Sequence, residues 1–272
     1  MNTASTGQAA TTDLAELLPQ VIHAATQAGD RLMKAFSPDS RPTDRAAMYK
    51  LGMQIESESA TAARTVLNDA LPGAGWVEEE QEGSLLPKGD WWVVDGAEGG
   101  VNHVHGLPEW GVTITLIRDN APVLAVVRQP VGDLTYTAVQ GGGAKLNGRS
   151  LRASGKAELE AAIVAASQAG GDVNVSERFG RAVAALSQCA LLVRNTIPTT
   201  FPLLAVASGQ YDVFWQYEPD LPGVSAGSLL VSEAGGIVTD LRGRPWTPGS
   251  RDVLISAPGL HAAALAVLSP II

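Results

Sequence analysis

Hydrophobic positions first repeat at helical spacing. Leu14, Leu17, Leu18, Val21, Ile22 and Ala25 recur three and four apart, with Thr12 or Asp13 as a natural cap, and the run closes near Ser37-Pro38. A second helix is predicted over about 57–71, stopped by Pro72-Gly73. The period then changes. Residues 91–94 form a short apolar run with the character of a buried strand. Runs at 112–117, 123–129 and 134–139 follow, separated by Arg118-Asp119-Asn120 and Pro130-Val131-Gly132-Asp133, and predict an antiparallel meander. Gly141-Gly142-Gly143-Ala144 and Asn147-Gly148 read as turns. Beyond them strands at 161–166, 191–193, 212–216, 237–240 and 253–256 mix with helices at 175–186, 201–208, 224–233 and 259–268. This pattern predicts a polar tail over 1–12 and a single domain over 13–272. Within it an α+β half (about 13–155) runs into an α/β half (about 156–272).

Composition narrows the function. The chain has 272 residues, 17% of them charged, with a formal net charge of −9, which argues against nucleic acid and anionic membrane as partners. An acidic protein can still take a phosphorylated small molecule when a divalent cation brings the positive charge. Cys189 is the one cysteine, which excludes an internal disulfide and a thiolate cluster. Its neighbours read as a strand entering the core, so a buried, inert thiol is expected. No run reaches the roughly 18 apolar residues of a membrane span, and the first residues lack a charged-then-apolar leader pattern. The expectation is a soluble, cytoplasmic protein.

The chemistry concentrates where the apolar run at 91–94 drives into Asp95-Gly96-Ala97-Glu98, with Glu78-Glu79-Glu80 just upstream. Carboxylates this close repel one another unless a proton or a cation sits between them. The segment therefore predicts a hard-cation site or an acid/base site. His103 lies beside the acids, which are expected to raise its pKa. Glu78, Glu80 and Glu82 read as solvated loop charges. Trp91, Trp92, Trp110 and Trp215 read as core or pocket wall.

The run Trp92-Val93-Val94-Asp95-Gly96-Ala97-Glu98-Gly99-Gly100-Val101-Asn102-His103-Val104-His105-Gly106 resembles the signature of the inositol monophosphatase family. That signature reads Asp-Pro-Ile/Leu-Asp-Gly-Thr, then Asn-Phe-Val-His-Gly. Residues 136–148, and Ser232-Glu233-Ala234-Gly235-Gly236-Ile237-Val238-Thr239-Asp240, resemble later parts of the same family. The resemblance implies a layered αβαβα sandwich and a homodimer. It also implies Mg²⁺-assisted hydrolysis of a small phosphate monoester, in which shared carboxylates hold cations that neutralise phosphate and acidify a water. By resemblance the metal ligands are Glu79, Asp95, the Ala97 backbone carbonyl and Glu98, and Glu56 matches an acidic position at the start of the second helix. Glu79, Asp95 and Glu98 would also serve catalysis. His103 replaces an aromatic residue of the pattern, and its placement beside the acids makes it a fourth catalytic candidate. Gly99, Gly100 and Gln216 would contact substrate.

Several positions depart from the pattern. The water-orienting Thr falls on Gly100. The late Trp-Asp pair, whose Asp completes a second metal site, falls on Pro222-Gly223, with Asp220 three residues earlier as a compensating acid. The Pro of the signature becomes Gly96, which is expected to loosen the loop. One Mg²⁺, or none, is then expected. Three readings stay open: a phosphomonoesterase with a reduced metal site; a repurposed enzyme doing acid/base cyclisation, elimination or isomerisation in the same cleft; and a non-catalytic binding protein.

Overall fold

A computed structural model describes residues 13–78 and 83–272. Helix α1, Leu14–Ala35, starts where Asp13 accepts a hydrogen bond from the Ala15 amide. It buries one stripe of Leu17, Val21, Ala24, Ala25, Ala28 and Leu32. Helix α2 spans Arg45–Ala70, capped by Asp44, and so begins twelve residues before the predicted start. The reason is visible in its burial. Its first buried residue is Ile55, followed by Ser59, Ala63 and Leu67. The N-terminal ten residues carry no core stripe, so hydrophobic periodicity could not reveal them.

The first sheet has seven strands in sequential order. They are β1 Gly75–Trp76, β2 Asp90–Glu98, β3 Gly111–Arg118, β4 Ala121–Gln129, β5 Leu134–Val139, β6 Gly143–Leu146 and β7 Arg149–Ser150. The predicted meander is β3 to β5, paired antiparallel throughout. Both faces of β4 are buried. Leu124 and Val126 face α1, while Ala125 and Val127 join a second cluster with Phe214 and Leu230. That second cluster draws side chains from both halves of the chain.

A short helix α3, Gly100–Val104, follows β2. The second sheet is ordered β11-β12-β10-β8-β9. Its members are β8 Ile163–Ala166, β9 Leu192–Asn195, β10 Val213–Tyr217, β11 Ile237–Thr239 and β12 Asp252–Ser256. Between the sheets lie α5, Thr200–Ala207, and α6, Leu221–Glu233. The outer face of the second sheet packs on α4, Val173–Leu186, and α7, His261–Leu268. The layers run helix, sheet, helix, sheet, helix, the expected αβαβα sandwich.

Two local expectations fail. Cys189 is not in a core strand. It sits half-buried in the turn after α4, its thiol near the Ala185 and Leu186 carbonyls, and β9 beyond it is an exposed sheet edge. Gly96 does not loosen a loop either. It lies inside β2, where an added Cβ would stand 2.7 Å from the Ala60 amide nitrogen and 2.8 Å from the Glu56 carbonyl of α2. The bare glycine lets strand and helix backbones touch.

Candidate active site

Strand β2 carries Asp95 and Glu98 to its C-terminal end. In a regular strand, residues three apart point to opposite faces. Here the pairing register with β3 slips between Asp95 and Glu98. This irregularity, with Asp95 accepting from the Ala97 amide at 2.8 Å, turns both carboxyls to one side. Gly99 then takes a left-handed φ of 81°, and an added Cβ would meet the Glu109 carbonyl at 2.6 Å. Only glycine makes that turn into α3 without displacing the backbone.

The acids line a cleft of about 740 Å³ between the two sheets' ends. Glu98 is 4% exposed and accepts from the Thr200 amide at the start of α5, at 2.8 Å. Burial pushes the Asp95 carboxyl well above its usual range, and the neighbouring Glu98 charge and a hydrogen bond to Glu98 push it further. Burial likewise raises Glu98, while the hydrogen bond from Asp95 and those from Thr200 oppose the rise. Asp220 adds repulsion to both. Without a cation the pair shares a proton.

Asp220 caps α6, its Oδ2 accepting from the Gly223 amide at 2.8 Å. A Cβ added at Gly223 would lie 2.5 Å from that same Oδ2 and 2.8 Å from the Thr199 Cβ. The Asp220 carboxylate therefore occupies the space where a side chain at position 223 would begin. Position 100 is different: a Cβ there would meet only Ala97 Cβ, at 3.9 Å, so a side chain has room.

Glu56, Ala97, Gly99, Gly100 and Gln216 also line the cleft. Glu79, Glu80 and Glu82 lie outside the described residues. Glu78 is exposed and paired with Arg64 at 2.8 Å. His103 is not at the cleft. It is 2% exposed, with Nε2 2.9 Å from the Leu32 carbonyl and its ring edge-on to Trp110 and Phe36. Burial lowers its pKa, the opposite of the expected direction, because α3 turns the imidazole into the helical layer and away from the acids. His103 therefore stands apart from the cleft and does not serve it as an acid/base group. Trp92, Trp110 and Trp215 are core residues, each at most 1% exposed.

Sequence reasoning missed the opposite wall. Ser167 at the end of β8, Thr199 before α5, and Met48, Tyr49, Gly52 and Met53 on α2 all line the cleft. Thr199 Oγ1 donates to Ser167 Oγ at 3.2 Å and receives Gln216 Nε2 at 3.4 Å. The only sequence signal was the polar Thr196-Ile197-Pro198-Thr199-Thr200 stretch ahead of an apolar helix.

Asp95 and Glu98 suit part of the oxygen shell of a hard cation, since no Lys or Arg of the described residues is among the main influences on either carboxyl. Among the described residues no three His, Cys, Asp or Glu side chains are grouped closely enough to hold a metal ion by themselves. A water-completed shell fits this set better than an all-protein cage.

A profile of the inositol monophosphatase family matches residues 13–271. Inositol monophosphatase 2 of Solanum lycopersicum is 30% identical over 263 residues, covering 93% of this chain and 98% of that protein. A putative Nus factor SuhB of Neisseria meningitidis is 27% identical over 248 residues, covering 90% and 95%. The extragenic suppressor protein SuhB of Bartonella henselae superposes with a TM-score of 0.79 at 24% identity, covering 93% and 99%, and shares the fold.

Proposed function

This chain belongs to the inositol monophosphatase family, and on that premise we propose that it hydrolyses a small phosphate monoester with a reduced, Mg²⁺-type metal site. The observation that carries the reading is the Asp95–Glu98 pair, Glu98 buried and Asp95 half-buried, with Asp220 near by and no cation of the described residues acting on either. A phosphate dianion cannot approach three carboxylates unless positive charge lies between them.

Asp95, Glu98 and the Ala97 carbonyl would hold one Mg²⁺, with Glu79 completing the set. Asp220 stands in for the acid absent at Gly223, supported by the space it takes there. When bound, the ion neutralises phosphate charge and acidifies a water. The chain's own part is positional. The Ala97 and Thr200 amides fix one oxygen each of Asp95 and Glu98. The leaving alcohol faces Ser167, Thr199 and Gln216. Water oxygen bonds to phosphorus, the ester P–O bond breaks, and the departing alcohol takes, in net, a proton from that water.

Hydrolysis is expected to be slow, because Gly100 offers no hydroxyl to guide the water. The raised pKa values of Asp95 and Glu98 favour a second reading, metal-free acid/base chemistry in the same cleft. Phosphate release from a panel of sugar, polyol, amino-alcohol and nucleoside monophosphates, at millimolar Mg²⁺ and again with EDTA, separates the two. Release that stops with EDTA supports the metal-assisted ester hydrolase. Turnover that survives EDTA supports the second reading, and no phosphate release from any ester refutes the first.

A further inference from the structure

We infer that the ester's alcohol carries an aromatic group, so that the substrate is the monophosphate of an aryl-bearing alcohol rather than of a bare polyol. The inference rests on the phosphatase reading of the same cleft and adds what lies beyond the phosphate.

The N-terminal part of α2 is anomalous. Of its first ten residues none is fully buried and Met48 alone packs, half-buried, on the first core, yet Met48, Tyr49 and Met53 line the cleft that holds Asp95 and Glu98. Tyr49 is 51% exposed and Met53 69%. Positions 48 and 52, and 49 and 53, are four apart on the helix, so they form a continuous stripe. Val101 of α3 and Pro198 continue the apolar lining. Thioethers adapt their shape and make favourable contacts with aromatic rings.

Gly52 lies in the middle of that stripe. A glycine inside a helix weakens it relative to alanine. Packing does not demand this one, since an added Cβ would meet nothing within 4 Å. What its bareness provides is a flat strip of helix backbone between Met48 and Met53, open to the cleft. A planar ring can lie there, and a side chain at 52 would fill the place.

The polar side chains of the lining include Ser167, Gln168, Thr199, Gln216 and Glu218. Gln216, 6% exposed, keeps its carboxamide oxygen without a partner while its amide nitrogen is held by Thr199. That leaves one buried acceptor, which a single N–H or O–H donor of the ligand can satisfy. A small polyol can pair with those polar groups, but it would leave Met48, Tyr49, Met53 and Val101 without an apolar partner. A ring with one donor matches both walls.

The test uses two non-hydrolysable phosphonates of similar chain length, 3-phenylpropylphosphonate and 2,3-dihydroxypropylphosphonate, with inorganic phosphate as reference. Binding to the full chain is measured by calorimetry at millimolar Mg²⁺. The aryl compound is expected to bind about tenfold tighter or more than the diol. In Gly52→Leu that ratio falls towards one, while the melting temperature holds or rises because leucine favours the helix. If phosphate and both phosphonates bind to the native chain with no aryl preference, the inference fails and the phosphatase reading stands. If none of the three binds, both fail together. Sedimentation covers the remaining occupant. A dimer that Met53→Asp converts to monomers would assign the stripe to a second copy of the chain and overturn the inference.

Discussion

Two groups of buried acids in this molecule are treated in opposite ways. Asp212 is fully buried, and its Oδ2 receives Lys156 Nζ at 2.8 Å and the Ile163 amide at 2.7 Å. Asp240 is 4% exposed and is held by the Arg244 guanidinium and by the amides of Arg242 and Arg244. Burial alone would push the Asp240 carboxyl up. The Arg244 and Arg242 hydrogen bonds and the Arg244 charge outweigh it and hold the carboxyl below its usual value. Glu98 is as buried as Asp240 and Asp95 is half-buried beside it, yet their charged neighbours are each other and Asp220, and both rise. Among the described residues, the structural acids have a cation and the cleft acids have none beside them. The missing positive charge is thus left for a ligand to bring.

This contrast can be broken from either side. The largest effect is expected at the cleft. Asp95→Asn should cut turnover by about 10²–10³, by analogy with the loss of one electrostatic group in a preorganised site. Removing the cation from a structural acid should act on stability instead. Lys156→Met leaves Asp212 buried and unpaired. Discounting for the partly exposed lysine, it should cost about 2 kcal/mol and lower the melting temperature by about 4–8 °C, with turnover per folded molecule kept.

The pH dependence of stability sharpens the same comparison. A carboxyl raised in the folded state binds its proton more tightly there than in the unfolded chain. Metal-free protein should therefore lose stability as pH rises from about 4 through the raised range of the Asp95–Glu98 pair. Asp240 runs the other way, its contribution being lost as pH falls through its lowered range. Denaturant melts between pH 4 and 8, with EDTA, should show the first slope flattened in Asp95→Asn, and an unchanged slope would remove the pair from the explanation. The smallest effect is a gain. Gly100→Thr has room for its side chain, and a restored hydroxyl should raise phosphate release by up to about tenfold.

Much of this contrast could be read from the chain alone. Asp95 and Glu98 stood out because an apolar strand ran directly into them. Strands β3 to β5 were legible because clear turn residues bound each one. The irregularity that turns both acids to one side was not legible, since it depends on how β2 pairs with β3. The position of His103 is not legible either, because adjacency in sequence says nothing of which way a short helix turns a ring. The first half of α2 escaped notice because it has no buried stripe. The chemistry of the opposite wall, from Ser167 to Gln216, is assembled from elements distant in sequence, and no local pattern announces it.

The central claim is that an external cation completes the Asp95–Glu98 pair. A calorimetric Mg²⁺ titration of the native chain and Asp95→Asn, run in two buffers of different ionisation heat, tests it most directly. The account predicts saturable binding with release of the shared proton, weaker as pH falls, and lost in Asp95→Asn. Binding that releases no proton, or that is the same in both proteins, would contradict it.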